Sequence, residues 1–144
     1  MNPVFKTAGC KRYRFPTHTN ELVYDRSDAR ASEVFLVVLE PGEAPPLHVH
    51  DDTEQVFYVI EGRGTLTLGA ERRTYRVQAG DVVLVPPSTP HSIRADDSNT
   101  LRYLSVDCFG ATGKPTEATW DEHVKAVCQE RGWSYEQVVR PSME

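Results

Sequence analysis

The chain has 144 residues, 26% of them charged, with a formal net charge of -5. That length suits one domain with a real core, and the acidic balance leaves no basic field to hold nucleic acid or an anionic membrane. The N-terminal stretch lacks the apolar core of a secretory signal, and no later run is long enough to cross a bilayer, so the expectation is a soluble, cytoplasmic protein. Cys10, Cys108 and Cys128 are odd in number and widely spaced, which fits a reducing compartment better than a disulfide framework.

In chain order, residues 1–30 alternate poorly and read as one or two edge strands, with His18 in a loop as a solvated histidine. From Glu33 to Leu39 the β-branched and aromatic run predicts a strand apolar on both faces, stopped by Glu40-Pro41-Gly42. Next come Pro45-Pro46 and then His48-Val49-His50. On an extended backbone those two imidazoles point to the same face, which makes half a metal site.

A strand is expected from Gln55 to Ile60, then a glycine turn at Gly62 and Gly64 and a hairpin of 65–68 with 74–77. Further strands follow at 82–85, 91–95 and 101–108. His91 comes after prolines that end the preceding apolar run, and supplies a third imidazole. Short strands at this spacing, broken by Gly, Pro and Asp, predict an all-β sandwich or barrel. After a linker at 110–115, Thr119 and Glu122 form a capping-box pattern, and Trp120, Val124, Val127 and Cys128 mark one face of a helix ending near Gly132. A shorter helical turn is expected from Ser134 to before Pro141. His123 lies off the apolar stripe and reads as solvated. The helix is expected to cover the barrel or a partner subunit.

Two segments resemble the paired motifs of the cupin superfamily. The first, Gly42 to Gly62, is similar to G-x5-H-x-H-x3,4-E-x6-G, and carries Gly42, His48, His50 and Gly62. The second, Gly80 to Arg94 with the residue that follows, is similar to G-x5-P-x-G-x2-H-x3-N. It matches at Gly80, Pro86 and His91, with Ser88 in place of Gly and Ala95 in place of Asn. The resemblance spans roughly residues 35 to 107. It implies a cupin jelly-roll β-barrel with a short C-terminal helical extension, divided as edge strands 1–30, barrel core 31–110 and extension 111–144.

It also implies one divalent transition metal ion (Zn, Ni, Mn or Fe) on His48, His50, His91 and a fourth ligand. Counting back from Gly62, that ligand position falls on Gln55; counting forward from His50, Glu54 fits the shorter spacing. A strand turns these neighbours to opposite faces, and Gln55 is the reading adopted. Three imidazoles and an amide leave the ion's charge uncompensated, which predicts a small anionic substrate.

The expected activity is Lewis-acid isomerisation, elimination or ring opening of a small organic acid or sugar-derived substrate. An Fe(II) dioxygenase and a non-enzymatic small-molecule binder are the alternatives. Glu54, Arg102 and Tyr103 are the candidate catalytic groups. Strand 101–107 leaves two registers open: Tyr103, Ser105 and Asp107 inward, or Arg102, Leu104 and Val106 inward. With Gln55 inward, Tyr58 faces out and Phe57 and Val59 face in. A homodimer through the outer sheet is expected, with Trp120 and Trp133 at the helix's packed surface.

Overall fold

The computed structural model describes residues 2–110 and 115–140. Nine strands form two antiparallel sheets: β1 (Lys11–Arg14), β2 (Thr19–Tyr24), β3 (Ser32–Leu39), β4 (Thr53–Glu61), β5 (Arg63–Leu68), β6 (Arg73–Gln78), β7 (Val82–Val85), β8 (His91–Ala95) and β9 (Leu101–Phe109). The larger sheet runs β1-β2-β3-β9-β4-β7 and the smaller β6-β5-β8. This is a jelly roll, followed by helices α1 (Trp120–Arg131) and α2 (Tyr135–Val139). Most of the linker expected at 110–115, and the stop at Pro141, lie outside the described residues.

The inner face of the large sheet is built by register. Phe35 pairs with Ser105 and Ser105 with Phe57, while Val37 pairs with Tyr103 and Tyr103 with Val59, so one row after another turns the same way. All six of these residues are buried. Strand β9 therefore presents Tyr103, Ser105 and Asp107 inward, which settles the open register. The barrel closes where Gly62, at φ 87, passes under the backbone of Thr100: a Cβ there would come within 2.1 Å of the Thr100 carbonyl oxygen.

Helix α1 starts where Thr119 Oγ1 accepts from Glu122 N at 3.1 Å, and it ends at Gly132 in the left-handed region. The Glu122 carboxylate reaches back to Ala118 N instead of closing the box on Thr119. The helix buries Trp120, Val124 and Cys128 in the same core as the barrel strands, Trp120 packing 4.5 Å from Phe35 between ring centroids. It covers its own barrel.

One element differs from expectation. The chain from 44 to 50 is not a strand; only His48 makes a ladder contact, an isolated bridge to His91. Pro45 and Pro46 have no N–H to donate, so a continuous ladder cannot run through them.

Candidate metal centre

Three imidazoles converge at one end of the barrel. The backbone bridge does the joining: His48 N donates to His91 O at 3.2 Å and His91 N to His48 O at 3.0 Å. Ring centroids stand 4.3 Å apart for His48 and His91, 5.1 Å for His48 and His50, and 5.8 Å for His50 and His91. One nitrogen from each ring lies within 4.8 Å of the others.

The His50 loop is pinned from the second motif. Ser88 N donates to His50 O at 2.7 Å, and Ser88 Oγ donates to Asp51 O at 2.8 Å. Ser88 sits at φ 56, the left-handed region for which the related motif uses glycine. The hydroxyl's bond to Asp51 offsets a backbone cost that glycine would not incur, so the departure from the motif is a local exchange of conformational ease for an anchor.

The rings are prepared as ligands. His48 Nδ1 lies 2.8 Å from Pro46 O and His91 Nδ1 2.9 Å from Thr89 O. A carbonyl can only accept, so each Nδ1 carries the proton and each Nε2 keeps its lone pair. His91 Nε2 is buried with no partner among the described residues. Burial, reinforced by neighbouring histidines, lowers the His48 pKa to about 4 and that of His50 to about 3; burial also lowers His91. Neutral imidazoles are the form that binds a metal.

Gln55 is buried on β4 and lines the same cavity as His48 and His50. Its Nε2 donates to Asp107 Oδ1 at 2.6 Å, and its Oε1 is buried without a partner among the described residues. Oε1 is therefore the available donor atom. Behind it runs a buried polar chain: Asp107 bonds Glu33, which Arg26 holds with two bonds, Nε to Oε1 at 2.8 Å and Nη2 to Oε2 at 2.9 Å. Burial first, then the hydrogen bond and charge of Glu33, push the Asp107 carboxyl well above the usual carboxylate range. The donor set is then three neutral nitrogens and one amide oxygen, which fits a divalent first-row ion.

Of the candidate catalytic groups, Tyr103 lies in the cavity, buried, with its phenol pushed above its ordinary pKa by burial. Glu54 is exposed on the opposite face of β4 from Gln55. Arg102 is also turned outward, 3.9 Å from Glu21 and 3.8 Å from Glu61. Tyr58 faces out, while Phe57 and Val59 are buried.

Two histidines depart from their expected places. His18 is buried, not solvated: it stacks on Phe15 at 4.7 Å, lines the cavity, and has its pKa lowered by burial to about 3. His123 is on the cavity wall and shares a 3.0 Å hydrogen bond with Glu117. Helix α1 is thus part of the site. Asn20 and Ser105, both buried in the cavity wall, have no local sequence signature; only strand pairing brings them there.

A family model described as the cupin domain matches residues 35–107. The chain is 39% identical over 67 residues to an uncharacterized protein of Methanocaldococcus jannaschii, covering 46% of this chain and 52% of that one. It is 40% identical over 75 residues to the quercetin 2,3-dioxygenase of Bacillus subtilis, covering 52% of this chain and 22% of the enzyme. The chain therefore spans about half of one curated relative and less than a quarter of the other. Among solved structures, the polyketide cyclase RemF from Streptomyces resistomycificus superposes with a TM-score of 0.66 at 26% identity, covering 80% of this chain and 83% of that one.

Proposed function

The chain belongs to the cupin family, and on that premise we propose that it is a metal-dependent enzyme acting on a small anionic organic molecule. The reading is carried by one observation: His48, His50 and His91 present nitrogens within 4.8 Å of one another, beside a buried Gln55 whose carbonyl oxygen has no other partner among the described residues. A divalent ion held there supplies a Lewis acid that polarises a carbonyl or carboxylate, the chemistry of isomerases, lyases and ring-opening enzymes. All four donors are neutral, so the protein leaves the ion's charge for the substrate to balance. The Tyr103 phenol stays protonated and lies within the cavity as a donor. Phe57, Phe35 and Trp120 keep the cavity wall dry, which strengthens polar contacts formed inside it.

A second reading, Fe(II)-dependent dioxygenation, is favoured by the 40% identity to a quercetin dioxygenase over 75 residues. Emission spectroscopy on purified protein, with an oxygen electrode, separates the two. Zinc, nickel or manganese at one ion per chain without oxygen uptake supports the first; iron with substrate-dependent oxygen uptake supports the second. Protein that binds none of these ions overturns both.

A further inference from the structure

Beyond the histidines, the wall of a cavity of about 390 Å³ carries three pairs of aromatic rings. Phe15 and Trp133 stand 5.7 Å apart between centroids, Phe35 and Trp120 4.5 Å, and Phe57 and Tyr103 4.8 Å. They come from four parts of the chain: the turn after β1, strands β3, β4 and β9 of the large sheet, helix α1, and the residue after its cap. The same wall also holds three buried polar atoms without a partner among the described residues: Asn20 Oδ1, Trp120 Nε1 and Ser105 Oγ. Buried polar atoms are nearly always paired, so these three mark polar spots in the wall.

These features set the ligand's chemistry. A sugar acid carries a hydroxyl on almost every carbon, and a wall offering three free polar atoms would strip water from most of them without replacing it. A bare hydrocarbon would leave all three wall atoms unpaired. A flat ring bearing a few oxygen groups satisfies both. Arg131, the one arginine on this wall among the described residues, is exposed at its edge, so the interior favours an uncharged body. We infer that the cavity takes an oxygenated aromatic acid or phenol. Its oxygen donors sit at the His48, His50 and His91 end and its ring lies among the three aromatic pairs. This deepens the metal-enzyme reading, and rests on it only for the oxygen end.

The test is calorimetric titration of zinc-loaded full-length protein with mandelate, lactate and gluconate, which share an α-hydroxy-carboxylate and differ in the body attached. Mandelate should bind tighter than the other two by about tenfold or more, the gain expected from burying a phenyl ring. Trp133→Ala, at a partly exposed position, should shrink that ratio. Lactate or gluconate binding as tightly as mandelate overturns the inference. Protein that takes up none of zinc, nickel, manganese and iron overturns the metal reading instead. In that event the mandelate-to-lactate ratio on the zinc-free protein decides the inference: a retained preference supports the aromatic wall, and equal binding overturns it.

Discussion

Gln55 and Asp107 face each other across β4 and β9, and the 2.6 Å bond from Gln55 Nε2 to Asp107 Oδ1 decides which end of the amide is left free. An unrestrained glutamine could present either its nitrogen or its oxygen. Only the oxygen can ligate. Asp107→Leu should therefore weaken zinc binding about tenfold to a hundredfold, the usual loss when a partner behind a ligand is removed. Asp107→Asn, which still offers a carbonyl acceptor, should recover most of it. Competition against a chromogenic chelator reads both; unchanged affinity in the leucine variant would show that Asp107 does not orient Gln55.

At position 55 itself, Gln55→Glu should keep the metal and weaken anionic ligands, because it adds a negative charge beside the ion. Glu54→Gln should change neither, since Glu54 is exposed on the other face of the strand. Loss of metal from the Glu54 variant but not the Gln55 variant would mean the ligand assignment is reversed. His48→Ala combined with His91→Ala should abolish stoichiometric binding altogether, because the remaining donors cannot hold a first-row ion against chelation.

Much of this candidate site was legible in the sequence because its residues lie in two short stretches that resemble the cupin motifs. His48, His50, His91 and Gln55 come from the resemblance to those motifs, with Gln55 placed by counting back from Gly62. What lay behind them did not. Glu33 opens an apolar run and gave no sign of pairing with Arg26, seven residues earlier, because their contact depends on a 3-10 turn at Arg26–Asp28 that folds the chain back. His18 reads as a loop residue, and its burial comes from Phe15 and from Trp133 at the far end of the chain. The HxH segment, expected as extended backbone, forms no strand. Its histidines converge all the same, through the single bridge to His91.

The Arg26 and Glu33 pair is buried on both sides, with 2% and 0% side-chain exposure. Arg26→Met would leave Glu33 and Asp107 without their cation, and it should cost about 3–5 kcal/mol of unfolding free energy. Glu33→Gln in the same background removes the stranded charge and should restore part of the loss. Urea denaturation of the two variants measures it. A double variant no more stable than Arg26→Met would show that the carboxylate, once stranded, was not the source of the cost.

His18 makes a pH prediction. Its folded pKa of about 3 lies below the ordinary 6.5; burial is the main cause, with His48 and Arg14 adding to it and Glu43 opposing. Between those values the unfolded chain binds the proton and the folded chain does not, so stability falls as pH drops below about 6.5. From pH 7 to pH 5 His18 alone should account for about 2 kcal/mol of lost stability. With zinc bound to keep the other buried histidines neutral, His18→Phe should lose correspondingly less over this range. Parallel pH profiles for the two proteins would remove His18 from the account.

The remaining prediction is a homodimer, and the structure moves its expected surface. The outer sheet is the expected contact, but on its strand β3 Leu36 and Val38 are already buried within one chain. The exposed apolar groups on the outer face of the large sheet lie further along it, with Tyr58 47%, Val82 66% and Leu84 56% exposed. They are adjacent: Tyr58 pairs with Val82 and Val56 with Leu84 across β4 and β7. β7 is also an edge strand, whose free side offers unpaired backbone groups. Trp120 and Trp133 are spent on the chain's own interior, Trp120 against Phe35 and Trp133 against Phe15. A two-fold contact centred on β4 and β7 would cover this patch on both copies at once. Sedimentation at micromolar concentration should show a dimer. Val82→Lys with Leu84→Lys should give a monomer of nearly unchanged stability, because both side chains are solvent-facing in the single chain. A wild-type monomer at that concentration, or a lysine variant that still dimerises, would place any assembly elsewhere than on this face.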